Sequence, residues 1–282
     1  MDFKLIKRII TTRRHVRNWI TVASFLAVAR GNHQKQFVLR FRNGVNIEEL
    51  FTRKLVWNLI QLCEYSRVLN VEIRSDLIQV KILAKQIIEN LQQQFSASEI
   101  NEGGTGGWVA EKEMLLFSLI RKFRPKMVIE TGVGQGISST FILKALQLNG
   151  EGALLSIDLP NRNPDGYVYP DGTKDSIFLP KDLEPGWIVP PDLRSRWSLR
   201  IGASADILPG LKTTFEIFFH DSEHSYQNMI FEFTWADAHL QAGGILVSDD
   251  VNWNNSWRDF IATSGAYIEL IQDESVGVII KK

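Results

Sequence analysis

The feature that most constrains this chain is the turn Glu130-Thr131-Gly132-Val133-Gly134-Gln135-Gly136, set directly after the apolar run Met127-Val128-Ile129. Three glycines at alternate positions leave the backbone bare where a strand turns into a helix, so a ligand can approach the amides of the helix start. The flanking sequence has the matching rhythm. Residues 110–123 have helical spacing and stop before Pro125, residues 138–148 form the next helical stretch, and Leu154-Leu155-Ser156-Ile157-Asp158 reads as the following strand. Further strands are expected at 198–201, 217–219 and 245–248. Strands separated by helix-length segments predict a doubly wound, mostly parallel α/β sheet with right-handed crossovers. Two closing strands, 266–271 and 276–280, are joined by a tight turn and form an antiparallel hairpin on that sheet.

The glycine spacing excludes the usual dinucleotide pattern. Counted from Gly132, the third glycine position is Ile137; counted from Gly134, it is Ser139. An acid immediately before the turn also repels a pyrophosphate, whereas it suits a ligand carrying positive charge. The arrangement resembles class I, Rossmann-like S-adenosylmethionine-dependent methyltransferases, which also end in an antiparallel hairpin. By that resemblance Glu130, Gly132, Gly134 and Gly136 would form the cofactor turn. Asp158, at the end of the next strand, would accept the ribose hydroxyls; a helix cap or turn before Pro160 is the structural alternative. Gly202-Ala203-Ser204 resembles the adenine-facing turn of catechol O-methyltransferase, which puts Ser204 at the adenine edge, with Asp206 as a helix cap.

Downstream, His220-Asp221-Ser222-Glu223-His224-Ser225-Tyr226 follows the fourth strand, and Asp249-Asp250 follows the fifth. Carboxyl ends of adjacent central strands lie side by side in such a sheet, so Asp221, Asp249 and Asp250 are expected to converge. Three carboxylates without a cation repel one another, and Mg²⁺ or another divalent cation with oxygen ligands relieves that conflict. From about Thr105 onward the chain resembles the metal-dependent macrolide-sugar and rhamnosyl O-methyltransferases, with an Asp-x-x-His-x-Tyr segment and paired acids. The resemblance implies a metal held by Asp221, Asp249 and Asp250, with Asp221 also near the cofactor and His224 as general base. Asp249-Asp250 as a plain turn, and His224 as a capping or core histidine, are the structural alternatives. Tyr226 and His220 are read as packing residues.

The segment 159–197 holds seven of the chain's nine prolines together with Tyr167, Tyr169, Trp187 and Trp197. A loop this long in a compact domain is usually functional or disordered, and its aromatics suit a substrate lid, with Trp253 and Trp257 as the opposite wall. The acceptor implied is a sugar hydroxyl on a saccharide or glycosylated compound, or else a catechol-type small molecule. A cofactor-binding protein without transfer activity is the reading from another class, and the retained Asp–His–Asp–Asp set weighs against it.

Residues 1–100 are expected to form a small α+β extension before a methyltransferase domain at 101–282, the boundary falling at the glycine cluster 103–107. That extension would hold a hairpin around Asn43-Gly44, helical stretches at 50–64 and 77–95, and a short strand at 71–74. Lys+Arg and Asp+Glu each number 32, so no basic excess points to nucleic acid. The basic start before the apolar residues 19–29 resembles a secretory signal, but with Met1 retained the favoured reading is an amphipathic helix touching the domain or an anionic membrane surface. One cysteine, Cys63, forms no internal disulfide, and a cytoplasmic homo-oligomer is the expectation.

Overall fold

The strand leading into the glycine turn lies near the middle of a seven-stranded sheet. The computed structural model describes residues 58–59, 61–73, 75–95, 109, 111–169, 172, 174–175, 178–264, 267–272 and 275–282. The chain divides into two units, Met1–Lys54 and Leu55–Lys282, and every described residue belongs to the second. The basic N-terminal stretch, the hairpin around Asn43-Gly44, the first part of the helix expected at 50–64 and the glycine cluster 103–107 lie outside the described residues.

In chain order the elements are α1 (Leu77–Gln94), α2 (Glu111–Phe123), β1 (Met127–Thr131), α3 (Ile137–Asn149), β2 (Ala153–Asp158), the short pair β3 (Tyr167–Val168) and β4 (Lys174–Asp175), β5 (Trp197–Ile201), α4 (Ser204–Ile207), β6 (Phe215–His220), α5 (Tyr226–His239), β7 (Leu240–Ser248), α6 (Ser256–Ser264), β8 (Tyr267–Gln272) and β9 (Gly277–Lys281). Residues 58–59 and 61–69 are also helical. The sheet order is β5-β2-β1-β6-β7-β9-β8. Strands β5 to β7 run parallel, and β9 pairs antiparallel with both β7 and β8. This is the doubly wound sheet with a closing hairpin that the strand rhythm predicts.

The central strands are buried on both faces, as parallel strands under helices must be. Val128 to Thr131 and Ile217 to His220 are all closed to solvent. On one face Phe218 and Leu246 meet Phe233 of α5 and Trp257 and Phe260 of α6. Trp257 is 1% exposed, so it belongs to this core and not to a substrate wall. A side chain on Gly277 would collide with its indole ring. Gly277→Ala is therefore expected to destabilise the domain by about 1–3 kcal/mol, the usual cost of overpacking, read from the midpoint of urea unfolding.

Residues 71–73 form no strand. Their polar groups go to helix ends instead: Val71 N donates to Ser66 O, while Asp76 N and Leu77 N donate to Ile73 O. Asn70, at φ 52°, makes the left-handed turn that ends the preceding helix. Buried Asp76 then receives Arg121 Nε of α2 at 2.8 Å, and Tyr65 donates to Glu111 at 2.6 Å. None of the described helices is long and apolar enough to cross a membrane.

Candidate active site

Strand order reverses between β1 and β6, and in open α/β sheets the crevice beyond the strand ends at that point is where ligands bind. Hydrogen bonds lock the ends together. Gly132 N donates to Ile157 O, Asp221 N to Thr131 O and Asp249 N to His220 O, each at 2.9 Å. Asp158, the glycine turn, Asp221 and Asp249 are thereby brought to one edge of the sheet.

All three glycines of the turn have positive φ: 83° at Gly132, 50° at Gly134 and 93° at Gly136. At Gly132 a side chain would also strike the Asp221 carbonyl, and at Gly136 it would strike the backbone of Gly186. Only glycine serves at both positions. Asp158 reaches across from β2, and its Oδ1 accepts Val133 N at 2.8 Å and Gly134 N at 3.3 Å. Its Oδ2 is buried and has no partner among the described residues. Burial pushes the carboxyl above the usual aspartate range, although the two amides pull it back.

Glu130 sits elsewhere than a direct ligand contact requires. It is fully buried, and its carboxylate accepts Ser138, Ser139 and Ser156 hydroxyls, each at 2.6 Å. These bonds tie β1, the start of α3 and β2 together, so Glu130 fixes the shape of the turn from beneath. Ser204 opens the short α4 and donates to Asn228 Oδ1 at 3.3 Å. Asp206 lies inside the first turn of that helix; its N-cap is Ala203.

The three acids of the expected metal site do not gather around a common point for a metal. Lys112, from the first turn of α2, places Nζ 2.8 Å from Asp221 Oδ2 and 2.5 Å from Asp249 Oδ2. The ammonium sits between the two strand ends, within hydrogen-bond distance of both carboxylates. Burial works against its charge, but the two aspartates hold its pKa well above the usual lysine range. With one ammonium shared by two carboxylates, burial pushes Asp221 upward; at Asp249 burial is outweighed by Lys112, which holds it down. Asp250 turns away on a left-handed backbone, φ 49°, and its Oδ2 lies 3.8 Å from His224 Nε2. Among the described residues no set of three His, Cys, Asp or Glu side chains is arranged to hold a metal. The sequence hid Lys112 because it reads as one more polar position on an amphipathic helix.

His224 is buried at 5% exposure, packed at 5.6 Å under the ring of Trp253, which is 39% exposed. Its Nε2 has no hydrogen-bond partner among the described residues. Burial, with the nearby charges of His220 and Lys112, pushes its pKa down from 6.5 to about 3. The imidazole is therefore neutral across physiological pH. Behind it lies a network centred on the fully buried His220 and Glu232. His220 Nδ1 is 2.6 Å from Glu232 Oε2, which also accepts Thr131 at 2.5 Å, while Ser222 and Asn228 bind Oε1 at 2.7 and 3.2 Å. Burial alone would raise Glu232, but His220 and these donors hold it down to about 2. Tyr226 is peripheral, its hydroxyl 3.3 Å from Asp259.

The proline-rich insertion is fastened to the glycine turn. Gly186 N donates to Gly134 O at 2.9 Å and Ile188 N to Gln135 O at 3.3 Å. Gln135 also receives Trp187 Nε1 at 2.5 Å and donates to Phe178 O at 3.1 Å. Trp197 donates to Ser156 at 2.9 Å. These two tryptophans hold the insertion in place and do not line an open lid; Tyr167, 48% exposed and edge-on to buried Tyr169, is the insertion's accessible aromatic ring.

Strand order, closing hairpin and glycine turn together make a Rossmann-like doubly wound sheet with a ligand crevice at its switch point. Residues 129–251 match a family described as a methyltransferase domain. Among solved structures the chain is similar to the SAH-bound methyltransferase PaMTH1 of Podospora anserina, at 14% identity and TM-score 0.47, over 71% of this chain and 87% of that one. It is also similar to the O-methyltransferase TomG of Streptomyces achromogenes in complex with SAM, at 17% identity and TM-score 0.45, over 61% and 80%. A third similar structure is the O-methyltransferase of Bacillus cereus in complex with SAH, at 14% and 0.45, over 71% and 90%. No curated protein matches the chain.

Proposed function

We propose that the protein is an S-adenosylmethionine-dependent O-methyltransferase acting on a hydroxyl of a sugar or glycosylated compound, with His224 as general base. The observation that carries this reading is the pair of buried, unpartnered atoms at one edge of the sheet, Asp158 Oδ2 and His224 Nε2. A buried acceptor left unpaired is costly, and a ligand hydroxyl relieves that cost at each position.

When bound, S-adenosylmethionine supplies an electrophilic methyl group. Gly132, Gly134 and Gly136 let the backbone approach it, Asp158 Oδ2 accepts a ribose hydroxyl, and Ser204 lies on the adenine side. Glu130 serves indirectly by holding the turn, and Asp221 adds negative charge near the cationic end. On the acceptor side, neutral His224 takes the hydroxyl proton at Nε2, and Asp249 and Asp250 favour the imidazolium as it forms. Exposed Trp253 and Tyr167 offer flat apolar faces suited to sugar rings. The sugar reading gains over the catechol one from Lys112, because chelation of two adjacent phenolic oxygens needs the metal position that the ammonium fills.

Calorimetry with S-adenosylhomocysteine tests the cofactor half. A folded Asp158→Ala variant should bind about 1.5–3 kcal/mol more weakly, the worth of charge-assisted hydrogen bonds. Equal affinity would remove Asp158 from the site. A methyl-transfer screen against glycosides and catechols then tests the acceptor class, and methylation of catechols alone would overturn the sugar reading.

A further inference from the structure

We propose that Lys112 is the built-in cation of this site and replaces the divalent metal, so that the protein binds its ligands and transfers methyl groups without one. The inference rests on the transferase reading above and deepens it. Two strand-end aspartates, Asp221 and Asp249, share one ammonium at 2.8 and 2.5 Å, and the lysine side chain is only 16% exposed. An ammonium has three donors, and these bonds use two. The third has no partner among the described residues, which leaves it for an acceptor oxygen entering beside His224.

The lysine sits where local preference is against it. The first turn of a helix carries partial positive charge, so it favours acids, as Glu111 and Glu113 on either side illustrate. A buried cation at that position is repaid only by tertiary partners, and Asp221 and Asp249 are those partners. The third acid, Asp250, has its Oδ2 3.8 Å from His224 Nε2. An ammonium shared by the two carboxylates cancels half of the charge a metal ion would draw on and fills the space between them.

Mn²⁺ titration followed by electron paramagnetic resonance reads this directly on the full-length protein, with S-adenosylhomocysteine present and absent. The wild type and Lys112→Arg should show no stoichiometric binding at millimolar Mn²⁺. Lys112→Ala should expose the aspartate pair and bind Mn²⁺ at least about tenfold more tightly, in the submillimolar range of simple carboxylate sites. Lys112→Met, which keeps the apolar stem, takes its place if the alanine variant does not fold. Turnover of the wild type should be unchanged by excess chelator. One tightly bound Mn²⁺ per wild-type chain, lost in Asp221→Asn, would overturn the proposal, as would folded Lys112 variants that bind Mn²⁺ no better than the wild type. The metal readout stands apart from the transferase reading, which fails separately if S-adenosylhomocysteine does not bind.

Discussion

Replacing His224 with alanine is expected to lower turnover on a verified acceptor by about 10²–10⁴-fold, the usual worth of a general base. S-adenosylhomocysteine affinity should stay within about twofold, because among the described residues this ring makes no direct hydrogen bond to the glycine turn. The wild-type rate should show no protonation limb near neutrality, since burial, His220 and Lys112 hold the imidazole down to about 3. The same shift has a stability consequence with a definite sign. In the unfolded chain the histidine takes up a proton near its ordinary 6.5, while in the native state it does not until about 3. The unfolded state thus binds more protons between those values, so stability falls as pH drops from 6.5 toward 3. His224→Ala should flatten that part of the curve, measured by urea unfolding at a series of pH values. Near-normal turnover in the variant would assign the proton to another group.

The second large effect is expected at Glu232. This carboxylate has no exposure, yet Thr131, His220, Ser222 and Asn228 all bind it, joining the ends of β1 and β6 to α5. Glu232→Ala removes a buried charge that its partners were arranged around, which typically costs about 3–5 kcal/mol. Chemical denaturation gives the number, and a loss under about 1 kcal/mol would mean that the network contributes little. Glu232→Gln should cost less, because it keeps one acceptor oxygen for the hydroxyls while losing the pairing with His220. The native carboxyl is held down to about 2, so its contribution is complete above the ordinary glutamate range and disappears as pH falls through about 2.

Much of this architecture was legible from pattern alone. Strand–helix alternation and the closing hairpin follow from local hydrophobic runs, and the glycine turn announces its own backbone geometry. Asp158, Asp221 and Asp249 were placed correctly at strand ends, because topology brings such ends together whatever their chemistry. What pattern did not supply was the partner of each charge. Lys112 lies more than 100 residues before Asp221, and no local signal distinguishes it from a solvated helix lysine. Glu130 looked like a ligand contact because the serines around it come from two other elements, α3 and β2. Trp257 looked like a wall residue because sequence proximity to Asp249-Asp250 says nothing of which way a following helix turns its indole. Residues 71–73 had strand composition, but their amides were already committed to helix ends.

The insertion after β2 bears on binding in a further way. Its contacts with Gly134 and Gln135 are mainly to backbone atoms and one amide side chain, so they depend on the shape of the turn more than on residue identity. A glycine-rich turn standing alone would lose much conformational freedom on closing around a ligand. Here that entropy is already lost in folding, because a second strand of chain is moored along the turn. The loop reaches its ligand preorganised, and affinity drawn from few contacts is correspondingly higher. The proline-rich segment is accordingly a splint for the glycine turn, and it cannot be trimmed like an ornamental surface loop without loosening the turn it braces.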